Sequence, residues 1–484
     1  MVSSRAKREN LIEKIKRFQL SGAYPVFFAI LCTASGLGNK YVYLPIISIL
    51  VISVLFSIFF HNDDRVFLTP MLMIYFSLGS DNAHAFIDSN ADITAAFDSD
   101  GFVGICILAA IAIIPFIIRF IIKGAFAFAL KNGGRLFWGI IALGVSTIFG
   151  GVFSKNLTLN SLIYGLIISL GAIVFFIIAY YIIKNSDKDI VPYICRIFVI
   201  TCLVISAQVA VVALQAHAQQ DLIIFSKYLD RWLIQRIHFY FSWGVPTIIG
   251  AMTVLGIPAA MYMAKNEKFP LLYYTSSIIF LMVSFVVNTR SAIVVGGIVF
   301  LVCAIAVCMF GKNKKSNLIF SLFLLSVTTA LIVTALISVP SPKAALFELQ
   351  KLLRFDSVSD RIELFKIGLK DFLSAPIFGV GWDKGALAIG LKPNNFFSNM
   401  YHCIIIQIAA ASGIVGLITL LNHLKDILLV GFKKCRIDRL LILAVPVMII
   451  GMSFVDNFFF YLNFQIPYMI FLALADKHLE LTKK

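Results

Sequence analysis

The sequence predicts an all-α polytopic membrane protein of about 12–14 transmembrane helices, with one large extracytoplasmic loop carrying amphipathic helices. Three observations predict it. The chain of 484 residues is 60% hydrophobic and only 14% charged, whereas a soluble domain is about 45–50% apolar and about 25% charged. Its apolar runs reach the length of about 20 residues that crosses about 30 Å of hydrocarbon as a helix. Runs such as "IIFLMVSFVV" are continuous. They lack the alternation of a barrel strand, the other structure that satisfies its backbone in lipid.

Taken in order, the spans read as 21–37, 41–60, 66–79, 101–122, 136–153, 161–183, 190–214, 246–264, 270–288, 291–310, 317–339, 401–421, 440–460 and 461–475. The third is short, and the last two are separated by a weak turn. A cytoplasmic N-terminus places "SSRAKRENLIEKIKR", "KNGGR", "KNEK", "GKNKKS", "FKKCRIDR" and "KHLELTKK" on the cytoplasmic side. In that orientation 27 of the 41 Lys and Arg lie inside and 14 outside, the bias expected of short loops. The net charge of +16 is then a topology signal plus attraction to anionic lipid, and nucleic acid is not an expected partner. The expected organisation is a basic cytoplasmic segment at 1–20, a transmembrane bundle at 21–339 and a large extracytoplasmic loop at 340–400. Transmembrane helices at 401–475 and a cytoplasmic tail at 476–484 follow.

The N-terminus shows no cleavable signal, only a basic and mildly amphipathic segment before the first span. The eight cysteines, at 32, 106, 195, 202, 303, 308, 403 and 435, fall mostly inside spans. Their spacing points to neither a disulfide framework nor a zinc site. There is no P-loop and no dinucleotide fingerprint, which argues against a self-contained ATP-driven pump. No carboxylate is expected deep inside a span, where an ion-coupled transporter would need one; Asp456 falls near a span end.

Three segments are expected on the outer face. Residues 80–100, "SDNAHAFIDSNADITAAFDSD", carry five Asp and no Lys or Arg; their spacing is not that of an EF-hand loop, and they read as a solvated acidic loop. Residues 215–247 gather Lys227, Arg231 and Arg236 with Trp232, His238, Tyr240 and Trp243. Such residues anchor a chain at the membrane interface. They also suit a sugar and phosphate site, since guanidinium forks grip phosphate and aromatic faces stack on sugars. Both readings stay open on composition alone.

The third segment, Pro340 to Met400, has eight basic and six acidic residues. Leu346, Leu349 and Leu353 share one helical face, and Ile362, Phe365, Leu369 and Phe372 share another. Pro376 is expected to end the second helix, and "GVGWDKG" to form a flexible turn. A loop of this length in a compact domain is usually functional or disordered, and the two stripes argue against disorder. Arg290 sits between two apolar runs near their outer ends, either snorkelling to the interface or marking a site. His402 opens the next span, as a hydrogen-bonded structural residue or as a catalyst.

The order of these features resembles the O-antigen ligase and Wzy-type polysaccharide polymerase superfamily of integral membrane glycosyltransferases. "TRSA" opens a span. A large loop with "DRIELFKIGLKDFLSAPIFGVGWDKG" follows, and then "NMYHCIIIQIAAASGIVGL". The family's late pattern falls here on Arg361, Pro376, Gly379, Gly381, His402, Gly413 and Gly416. Upstream, "RIHFYFSWGVPTIIGAMTVLGIPAAMYMA" is similar to the family's Arg, turn and span. The family's usual Asn after that turn is absent, Thr247 standing near it, and Cys403 replaces an Asn that often follows the His.

The resemblance implies a GT-C-like fold and an extracytoplasmic glycosyltransferase of the bacterial inner membrane. It implies transfer of a glycan from an undecaprenyl-diphosphate carrier to an acceptor hydroxyl on a glycan or glycolipid, with no cofactor and no metal. The bilayer, a flippase and a chain-length regulator are its implied neighbours. His402, Arg361 and Arg290 take the catalytic roles, and Arg236, Arg231 and Arg354 the binding of the diphosphate. The segment around "SWGVPTIIG" is closer to the polymerases of O-antigen, capsule or exopolysaccharide repeat units. The alternatives are an O-antigen ligase acting on lipid A–core or another acceptor, and a flippase without chemistry. A flippase would spread its charges along a central cavity, whereas here they gather in the late loop and its neighbours.

Overall fold

The computed structural model describes residues 2–38, 40–78, 100–187, 189–218, 239, 241, 243–323, 326, 356–382, 401–433 and 436–481. Those residues form helices and connections, with one isolated bridge between Phe241 and Gly244 and no named strand among them. The first half comprises α1 (Val2–Leu20), α2 (Ala23–Gly36), α3 (Lys40–Phe60), a short α4 (Leu68–Met73), α5 (Asp100–Ile122), α6 (Ala125–Asn132), α7 (Arg135–Val152), α8 (Leu159–Leu166), α9 (Ala172–Asn185) and α10 (Ile190–Ala218). The second comprises α11 (Pro246–Val254), α12 (Gly256–Asn266), α13 (Pro270–Val286), α14 (Arg290–Phe310), α15 (Asp356–Ser374), α16 (Ile404–Phe432), α17 (Ile437–Ser453) and α18 (Leu462–Leu481).

Six helices are long and apolar enough to cross a membrane, or up to eight if two bent pairs each count as one span. The chain is therefore an all-α, integral membrane protein. Several expected spans are irregular. The 66–79 run is α4 flanked by 3-10 turns, and 161–183 is interrupted by a π turn at Ile167–Gly171. α1 bends by 81° from α2, so the basic segment is a helix lying across the direction of the first span. Most of the 317–339 run and the 79–99 acidic loop lie outside the described residues.

Burial follows from lipid as solvent. α11 and α12 are sheathed by neighbours, with Ile249, Ala251, Met252, Val254 and Ile257 buried. α14 is peripheral and leaves Ile298, Leu301, Val302 and Ile305 exposed, an apolar surface that hydrocarbon would match. The structure also extends α16 beyond the expected end at 421 to Phe432. That places His423 and Asp426 inside the helix, buried, with His423 bonded to Tyr468 Oη at 2.6 Å. A carboxylate within a span was not expected. The run "LLNHLKD" is polar enough to read as a loop, but it packs closely on Gly139 of α7, where a Cβ would come within 2.7 Å of His423 Nδ1.

The bundle has two chemically different ends. At one, charged side chains of α5, α9, α12, α17, α18 and the turn after α3 meet. At the other lie Val287–Arg290, Tyr401–Cys403 and Phe454–Asn457.

A candidate active site at the His402 end

α16 is broken at Gly413, whose φ of 64° and ψ of −156° are not helical. A break frees an N–H and a carbonyl that lipid cannot satisfy. The segment after α15 satisfies both: Ile414 N donates to Pro376 O at 2.7 Å, and Val380 N donates to Ala410 O at 2.8 Å. Glycine is required at this junction. A Cβ on Gly413 would strike Ile377 O, and one on Gly379 (φ 78°) would strike the Ala411 backbone. Gly381 (φ 94°) lies against Ser161 Oγ, where a Cβ would come within 2.6 Å. Trp382 closes the plug, its N donating to Ser161 Oγ at 2.8 Å and its Nε1 to Thr147 O at 3.1 Å. The expected flexible turn is therefore a buried wedge through Trp382; Asp383–Gly385 lie outside the described residues.

The wedge fixes α15 against the start of α16. Pro376 lies just beyond the helix end at Ser374, as its fixed φ and missing N–H predict. The packed face differs from the one expected. Ile362 and Leu369 are exposed, whereas Gly368 is buried against Ile406 and the Tyr401 ring. Arg361, Leu364, Gly368 and Asp371 share that inner face by helical spacing. Close approach is set by the residue without a side chain, and hydrophobic periodicity carries no such signal.

Three groups converge beyond it. Arg361 Nη1 donates to Val455 O at 2.5 Å. His402 Nδ1 lies 3.1 Å from Asp456 Oδ1. Asp456 is 14% exposed and His402 40%, so the carboxylate is the sheltered partner and the imidazole the accessible one. In the tautomer with the proton on Nδ1, His402 donates to Asp456 and keeps Nε2 as an acceptor. His402 itself has φ 51°, a left-handed conformation uncommon for a residue with a Cβ. Its neighbour Tyr401 is buried and donates to Asp371 Oδ2 at 2.6 Å. Burial, and then the Asp371 carboxylate, push that phenol well above its ordinary range, so it remains the donor.

Arg290 is the first residue of α14. The turn before it is tightly held: Asn288 adopts φ 51°, and Thr289 Oγ1 donates to Pro246 O at 2.7 Å. α14 packs along α17, and a Cβ on Gly451 would touch Val295 at 3.8 Å. Counting back along α14 and forward past α17 places Arg290 at the same end as Val455 and Asp456.

The structure thus brings Arg361, His402 and Arg290 to one end of the bundle. Arg231, Arg236 and Arg354 lie outside the described residues, as do Lys227, Trp232, His238 and Tyr240. Trp243 is described, and it is core. It is buried, stacked on Phe241, and donates through Nε1 to Gln208 Oε1 at 3.0 Å. The partner that sequence reading missed as part of the site is Asp456, 54 positions after His402. The signal available was a carboxylate close to a predicted span end.

Residues 275–421 match the family model described as O-antigen ligase. The match supports the O-antigen ligase and polymerase superfamily, and an activity of that type at the family level. It contains Arg290, Arg361 and His402, and Asp456 lies beyond its end. No curated protein matches the chain.

Proposed function

We propose that this end of the bundle faces outward and transfers a glycan from an undecaprenyl-diphosphate carrier to an acceptor sugar hydroxyl, polymerising surface-polysaccharide repeat units. The observation that carries the reading is the His402–Asp456 pair beside Arg361.

The chemistry follows from those groups. Asp456 holds Nδ1–H, and Nε2 accepts the hydroxyl proton as the acceptor oxygen attacks the anomeric carbon. The bond from that carbon to the carrier diphosphate breaks, and negative charge develops on the departing phosphate. Arg361 has one N–H on the Val455 carbonyl, and the rest of its fork is suited to phosphate oxygens. Arg290 supplies further positive charge, and the resemblance assigns Arg236, with Arg231 and Arg354 as second candidates, to the diphosphate as well. The leaving group is already activated, so the reaction calls for neither nucleotide nor metal. α15, part of the outer loop expected at 340–400, packs against the start of α16 beside this site.

Polymerisation rather than ligation is favoured by the "SWGVPTIIG" segment. The test is a transfer assay with purified protein, verified carrier-linked repeat units, and wild type beside His402→Ala. A product ladder without added acceptor, lost in the variant, is the expected result. Product only when lipid A–core or another acceptor is supplied would make the protein a ligase. No product, together with carrier movement across proteoliposomes, would make it a flippase.

A further inference from the structure

The contacts at the His402 end close into a ring. Arg361 of α15 donates to Val455 O; the next residue, Asp456, pairs with His402; the residue before His402, Tyr401, donates to Asp371; and Asp371 returns to Arg361 along α15. Ten residues of helix separate Arg361 from Asp371, about 15 Å at 1.5 Å per residue, a stiff strut. The Tyr401–Asp371 bond is the link that ties the residue before His402 to α15. Tyr401 is 2% exposed. Its N also donates to Gln407 Oε1 at 3.0 Å, and its ring lies over Gly368, where a Cβ would come within 2.9 Å.

The consequence is geometric. His402 holds a left-handed backbone, which persists only where surrounding contacts over-determine it. Tyr401 on one side and Asp456 on the other supply those contacts. Because α15 also carries Arg361, anything that holds Tyr401 to α15 also sets the separation between the imidazole and the guanidinium.

We propose that Asp371 and Tyr401 are positioning residues: their bond is a clasp that fixes His402 relative to Arg361 for transfer. The inference rests on the transferase reading above. A simple tether would affect folding alone, whereas a positioning clasp affects turnover in protein that is folded and binds its donor, because small displacements of reacting groups cost large rate factors.

The experiment compares wild type, His402→Ala, Tyr401→Phe, Asp371→Ala, Asp371→Asn and the Tyr401→Phe/Asp371→Ala pair in the transfer assay. Thermal midpoint and donor KM are read on each. Tyr401→Phe and Asp371→Ala are expected to lower kcat by about 10- to 100-fold with KM changed less than about threefold and the midpoint nearly kept. The double variant should be no worse than either single one, as for groups that act as a unit. Asp371→Asn keeps an acceptor for the phenol and should restore most of the lost turnover. Full turnover in Tyr401→Phe, a loss matching the loss of folded protein, or independent additive losses would each overturn the clasp while leaving the transferase reading intact. Wild type inactive on verified donor would remove the reading and the clasp together.

Discussion

The two ends of the bundle differ in what their carboxylates do. At the end where α5, α9, α12, α17, α18 and the turn after α3 meet, four cations are answered by carboxylates. Asp64 receives Arg119 at 2.9 Å and Lys123 at 2.6 Å, Lys184 meets Glu480 at 2.6 Å, and Lys265 meets Asp438 at 2.8 Å. At the His402 end, Arg361 and Lys155 donate to carbonyls, and the carboxylates Asp371 and Asp456 are engaged by a phenol and an imidazole. Among the described residues, Arg361 has no ion pair. The pairs at the first end neutralise four of the cations and serve stability. The second keeps positive charge available and tolerates strained backbone, which is what an anionic leaving group requires and what stability alone would select against.

The contrast is broken first by changes at the strained end. His402→Ala and Arg361→Ala are expected to lower transfer by about 10³-fold or more, while membrane insertion and yield stay at wild-type level. Product ladders normalised to folded protein measure this. Asp456→Asn should cost about 10²- to 10³-fold, because an amide no longer dictates which imidazole nitrogen carries the proton. An Asp456→Asn variant with full turnover would show the pair to be structural.

Between the two ends lies the wedge. Gly413→Ala forces a Cβ onto Ile377 O at a positive φ, and a loss of about 2–4 kcal/mol is expected. It should appear as a lowered thermal midpoint together with lost activity. An unchanged midpoint would mean that α16 straightens without penalty.

The opposite end should respond in stability only. Asp64→Asn leaves Arg119 and Lys123 without their carboxylate, at an expected cost of about 2–3 kcal/mol with turnover per folded molecule unchanged. The smallest effect is at Asp438. Burial alone would raise its carboxyl, but Lys265 and Asn266 hold it below its ordinary value. A depressed folded pKa means that the contribution is present above the unfolded value of about 3.9 and is lost as pH falls through the folded one. Asp438→Asn should therefore lower the midpoint at pH 7 by an amount equivalent to about 1 kcal/mol or less, and flatten its decline under acid. An equal acid decline in both proteins would assign it to other groups.

Much of this was legible in the residues. Arg290 opens a helix because "VVNT" ends the preceding apolar run and Asn tolerates the turn. Pro376 marks the end of α15, and His402 precedes a long apolar run. Other features were not legible. Trp243 reads like an interfacial or sugar-stacking aromatic and is instead core, because Gln208, thirty-five positions away, accepts its indole N–H. The face of α15 that packs is marked by Gly368, which no count of apolar residues detects.

What the sequence determined by itself is the solvent and the class of structure. Apolar run length and composition act locally, in hydrocarbon every backbone group must be satisfied within the protein, and continuous runs without a strand's alternation leave the helix as the solution, so an all-helical membrane protein follows from the residues alone. The tertiary structure decided which charges are neutralised and which remain available. The His402–Asp456 pair, the Arg361–Val455 bond and the Asp371–Tyr401 bond each join residues thirty or more positions apart. They exist because Gly413 breaks α16 and the Pro376–Trp382 wedge fills the break. Such pairings depend on the close approach of distant backbone, and local propensity does not encode that distance.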